Sequence, residues 1–116
     1  RDFYFDKNKL EILIIDRITI LDQQQHFIDL PFHLHPKVEI GELSNNRVSV
    51  GFNKDISLDF TLEGSLDSNI VIGSTNPILG WYSPKFNKKV KSPVIYCSKM
   101  ISESVNIQTK IKINLV

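Results

Sequence analysis

Residues 105–115 read VNIQTKIKINL, in which Val105, Ile107, Thr109, Ile111, Ile113 and Leu115 alternate with Asn106, Gln108, Lys110, Lys112 and Asn114. A period of two puts one set on each face of an extended chain, whereas helical spacing would scatter both sets around an axis. The stretch is therefore a strand with one wet face. ISLDFTLEG, residues 56–64, repeats the pattern, with Ile56, Leu58, Phe60 and Leu62 on one parity and Ser57, Asp59, Thr61 and Glu63 on the other. Val48, Val50 and Phe52 form a third alternating set. LEILIIDRITIL, residues 10–21, differs because apolar residues occupy both parities, which predicts a central strand covered on both faces.

Between these runs lie SNNR (44–47), FNKD (52–55), EGSLDSN (63–69) and GSTNP (73–77), rich in residues that accept turn geometry. Strands are expected near 2–6, 10–20, 26–35, 37–43, 46–52, 56–63, 68–73, 93–98 and 103–115, and no stretch carries helical periodicity. About nine short strands with recurring turns predict an all-β fold, an antiparallel β-sandwich or multi-sheet layer occupying 1–116 as one domain. Residues 74–93, with three prolines and a cluster of lysines, read as one long irregular loop, a kind of segment that often serves function or packs on a partner.

Composition narrows the function classes. The 14 Lys and Arg against 13 Asp and Glu give a net charge of +1, so no general field draws the chain to nucleic acid. Cys97 is the sole cysteine, which excludes an internal disulfide, a redox pair and a cysteine metal cluster. No apolar run approaches the roughly 20 residues of a membrane helix. The chain starts at Arg1 without Met and reads as a piece of a longer protein; a cut within a sheet would leave strand 2–6 with an exposed edge.

Three places could carry chemistry. In LPFHLHP, residues 30–36, His33 and His35 share the parity opposite to Leu30, Phe32 and Leu34, so both imidazoles leave the core on one side, about 6.5–7 Å apart along the strand. They are either the polar face of a sheet or two contributors to a sugar or metal site that needs further ligands. GWYSPKF, residues 80–86, sets Trp81 and Tyr82 beside Lys85, with Lys88, Lys89 and Lys91 following. Ring faces and ammonium groups suit an acidic sugar, and the same residues suit a loop anchored by its tryptophan among solvated lysines. Asp16, among isoleucines, asks for a hydrogen-bonded partner. Ser83 lacks the glycines of a nucleophile elbow and Cys97 a neighbouring base.

In order along the chain, FYFDKNKLEILIIDRI (3–18), HFIDLPFHLHPKVEI (26–40) and GWYSPKFNKKVKSPVI (80–95) resemble the C-terminal β-sheet domain of heparinase II/III-like polysaccharide lyases. The resemblance implies a bacterial, periplasmic or secreted parent with an N-terminal (α/α) toroid that is absent from these residues. It also implies β-elimination on uronic-acid polysaccharides, with the toroid supplying the tyrosine and an asparagine or histidine. No catalytic residue is expected in 1–116, and the isolated piece is expected to be inactive. By the same resemblance His35, with His33 as its neighbour, matches a ligand of a structural zinc whose other ligands precede Arg1. This sequence has FHLHP where such members carry a bulkier tryptophan-leucine run. The first expectation is thus a non-catalytic supporting portion of a lyase that acts on acidic polysaccharide. The alternatives are a carbohydrate-binding module using Trp81, Tyr82 and Lys85, or part of a surface-polysaccharide assembly protein without lyase activity.

Overall fold

The structure is a computed structural model and describes every residue except Ser65. Six strands form the larger sheet: β1 (Asp2–Asp6), β2 (Glu11–Ile18), β4 (Glu39–Ile40), β5 (Arg47–Gly51), β6 (Ile56–Glu63) and β13 (Val105–Leu115). Their order is β1-β2-β13-β6-β5-β4. A second sheet, β3-β12-β7, is built from β3 (His26–His33), β7 (Asp67–Ile72) and β12 (Pro93–Ile101). All pairings are antiparallel.

The alternation in β13 is realised as read. Ile107 and Ile111 are buried while Asn106 and Gln108 are exposed. Inward residues of both sheets meet in one core cluster: Ile14, Val48, Val50, Phe60, Leu62, Ile107 and Ile111 from the large sheet, Ile95 and Cys97 from the small one. Phe32 meets Phe60 edge-on at 6.0 Å between ring centroids, which joins the two layers. The chain is therefore an antiparallel β-sandwich.

Local chemistry sets the turns. Asn45 and Asn46 adopt φ of 50° and 57°, and Ser44 and Arg47 exchange backbone hydrogen bonds across them, the two-residue hairpin geometry that asparagine tolerates. Asn53 Oδ1 accepts from the N–H groups of Asp55 and Ile56 and holds the β5–β6 turn. Asp6 Oδ1 does the same for Asn8 and Lys9 between β1 and β2. Of the EGSLDSN turn, Ser65 lies outside the described residues.

Two expectations change. Residues 74–93 are not one irregular loop: β8 (Ser74–Thr75) pairs with β9 (Ile78–Leu79), and β10 (Trp81–Lys85) pairs with β11 (Lys88–Lys91). These strands are two to five residues long and largely solvated, so no buried parity marks them in the sequence. The second change concerns β2, whose outward residues Leu13 and Ile15 are only half-buried. The strand lies next to the sheet edge, β1 lies outside it, and Phe3, Tyr4 and Phe5 on β1 are 65%, 52% and 55% exposed.

Candidate functional site

The chemistry-bearing residues gather where the β8–β11 segment folds against the small sheet. Gly80 is the knot of that segment. Its carbonyl accepts from the N–H groups of Gly73 and Ser92, each at 2.9 Å, and its φ of 82° is one that residues with a Cβ rarely adopt. A side chain there would lie 2.7 Å from Gly73 N and 3.0 Å from the carbonyl oxygens of Ser92 and Val71. The glycine that opens GWYSP thus lets three backbone segments touch beside the buried Ser92.

From this knot β10 sends alternate side chains to opposite faces. Trp81 goes inward and is half-buried; its indole N–H donates to the Ser74 carbonyl at 2.8 Å, and Lys89 Nζ sits 4.2 Å from its ring centroid. Both features spend the ring on the fold, one on a hydrogen bond and one on a cation–π contact. Tyr82 goes the other way, 40% exposed, with its ring tilted 57° to that of His35 at 5.4 Å. Lys85 is exposed at the far end of β10, and Phe86, in the turn, is 91% exposed. The hairpin thereby divides the sequence-predicted trio: Trp81 anchors it, whereas Tyr82 and Lys85 remain open to a ligand.

The histidines are separated by the end of a strand. β3 stops at His33, opposite Val94, although Leu34 N–H still reaches the Pro93 carbonyl. Pro36 and a turn follow, closed by Val38 N–H to the His35 carbonyl. Both imidazoles are exposed, as their parity implied, but His35 is a turn residue and not a strand neighbour of His33. His35 Nδ1 accepts from Lys37 N–H at 3.2 Å, so the neutral ring carries its proton on Nε2. A metal on Nε2 would move that proton to Nδ1 and break this bond. Among the described residues no group of three His, Cys, Asp or Glu is placed to hold a metal ion. A zinc here would need ligands beyond these two histidines.

Asp16 has the partner its surroundings demand. Arg1 binds it through two atoms, Nε to Oδ1 at 2.6 Å and Nη2 to Oδ2 at 3.0 Å, and the guanidinium lies 6.0 Å from the Phe32 ring centroid. That forked pair accounts for an aspartate only 8% exposed and raises the Arg1 pKa. On the outside of the small sheet Tyr96 donates to Asp29, and the acceptor holds the phenol's pKa above its usual value. Cys97 is fully buried, with burial pushing its thiol up to about 11.

A family description, Heparinase II/III-like, C-terminal, matches residues 1–112. The chain belongs to the heparinase II/III-like C-terminal family. The match takes in the β1–β2 hairpin, the histidine strand and the Gly80 hairpin together. It makes this heparinase II/III-like C-terminal domain a polysaccharide-lyase-related part. No curated protein and no solved structure matches the chain. Among the described residues no helix is long and apolar enough to cross a membrane.

Proposed function

We propose that this heparinase II/III-like C-terminal domain is the non-catalytic β-sandwich portion of an exported lyase that cleaves uronic-acid polysaccharides by β-elimination, and that its β10–β11 hairpin forms one wall of the glycan cleft. The observation that carries this reading is the tilted Tyr82–His35 ring pair, exposed on a hairpin that is fixed through Gly80 and Trp81 and bears the exposed Lys85 at the far end of β10. A sugar ring can lie on Tyr82 while a lysine meets its carboxylate. Catalysis belongs to the toroid of the parent: neutralising the uronate carboxylate acidifies the C5 proton, a base removes it and the 4-O group leaves.

The test couples two measurements. The parent should raise the ultraviolet absorbance of unsaturated uronate with heparan sulfate, alginate or hyaluronan, and the 116-residue chain should not. Tyr82→Ala in the parent should raise KM about three- to tenfold and leave kcat nearly unchanged, because it removes binding far from the reacting atoms. Eliminative activity in the isolated chain, or a Tyr82→Ala parent with unaltered KM, would overturn the reading.

A further inference from the structure

The outward face of the large sheet holds a hollow of about 540 Å³ that the hairpin does not touch, and register explains its lining. Arg47 on β5 lies opposite Thr61 on β6, and Thr61 lies opposite Lys110 on β13. Cross-strand partners share a face, so the two cations flank one threonine, about 9–10 Å apart at two strand spacings. Ser49 and Asp59 form the next row, and Glu63 borders the other side. Among the described residues neither Arg47, Lys110 nor Glu63 enters an ion pair. Asn114 already binds Asp59 at 2.8 Å.

The same row continues past Lys110 to Leu13 on β2 and ends at Tyr4 on β1, half-exposed. Tyr4, Leu13, Lys110, Thr61 and Arg47 thus form a straight track across five strands, about 19 Å long at four spacings. It begins with an exposed ring and ends with free positive charge.

We infer that this track is a second glycan-binding site, one that takes an extended acidic oligosaccharide lying perpendicular to the strands. The inference rests on the acidic-glycan reading above but uses none of its residues. Arg47 and Lys110 would meet carboxylates. Glu63 can accept hydrogen bonds from sugar hydroxyls, which Thr61 and Ser49 can also contact. Tyr4 offers a ring face to one pyranose. A ligand that is both acidic and richly hydroxylated is the class this mixed lining selects.

The probe is a uronic-acid tetrasaccharide titrated by calorimetry into the 116-residue chain, with a neutral tetrasaccharide and sodium sulfate as comparisons. The expected result is binding of the uronate alone, weakened about tenfold by Arg47→Ala or Lys110→Ala and about threefold by Tyr4→Ala, with melting temperatures unchanged because these side chains project outward. Binding weakened only by Tyr82→Ala would overturn the second site and leave the hairpin reading intact. Equal binding of the neutral sugar, displacement by sulfate at equal concentration, or no binding by the unaltered chain would each overturn it as well. The lyase assay on the parent decides the first reading independently.

Discussion

Gly80→Ala is the perturbation most sharply defined by the geometry. At φ of 82° an alanine costs about 1–2 kcal/mol in backbone strain. The added carbon would also stand 2.7 Å from Gly73 N and 3.0 Å from the Ser92 and Val71 oxygens. All three are backbone atoms, so the clash is relieved only by moving chain segments apart. The hydrogen bonds most exposed to that movement are the two that the Gly80 carbonyl accepts, each contributing about 1 kcal/mol net. The expected loss is about 3–4 kcal/mol, a large share of the 5–15 kcal/mol typical of a domain, and a fall in Tm of about 10–20 °C. Urea titration followed by far-ultraviolet circular dichroism and by the fluorescence of Trp81, the sole tryptophan, measures it with two probes that should move together. Gly64→Ala is the control, since φ there is 114° with nothing within 4 Å; it should carry only the backbone cost. If Gly80→Ala loses no more than Gly64→Ala, the close approach of the three segments is not what holds the hairpin, and the reasoning fails.

Three buried groups carry the remaining outcomes. Thr109 is fully buried and its Oγ1 has no hydrogen-bond partner among the described residues, so Thr109→Val, nearly the same shape, should stabilise by about 1–2 kcal/mol in the same urea titration; destabilisation would mean that the hydroxyl is satisfied. With the thiol pKa raised by burial to about 11 from 9.0, Cys97 should react with a disulfide reagent at pH 8 at least about a hundredfold more slowly than after denaturation. The raised pKa favours the protonated thiol, so its contribution to stability is complete below pH 9 and is lost as pH climbs toward 11; thermal melts across that window should show Tm falling, and the slope should lessen in Cys97→Ala. Asp16→Asn keeps the shape but removes the charge facing Arg1, and should cost about 1–2 kcal/mol, less than a fully buried pair because Arg1 is partly solvated and can rehydrate.

The strands that proved readable are those with one buried parity. β13 and β6 show it most plainly, and the nine expected strands all occur, although β1 has no buried parity and β4 is only two residues long. The β10–β11 hairpin escaped because it is held by the Gly80 knot and the Trp81 N–H bond, both made with residues 7 to 12 positions away along the chain and neither visible as periodicity. Its prolines and lysines read as loop for the same reason. Leu13 and Ile15 misled in the other direction: apolar on both parities, β2 suggests a covered strand, yet only its inner face is covered here. Both histidines are exposed as their parity implied, and β3 ends at His33, so His35 lies beyond the strand. Arg47, Thr61 and Lys110 could not be joined from sequence at all, since they belong to three strands whose mutual register depends on the packed core.

One feature of the topology bears on how such a chain comes into being. β12 and β13 are consecutive, each is the middle strand that its sheet is built around, and together they fill the stretch from Pro93 to Leu115. About four-fifths of these 116 residues therefore precede the strands that give the two sheets their centres. Until then only local hairpins such as β1–β2 and β5–β6 can form, with their apolar faces bare. Neither sheet can close until these last strands are available, and until then the alternating strands are open to wrong partners, the hazard that attends non-local strand pairing.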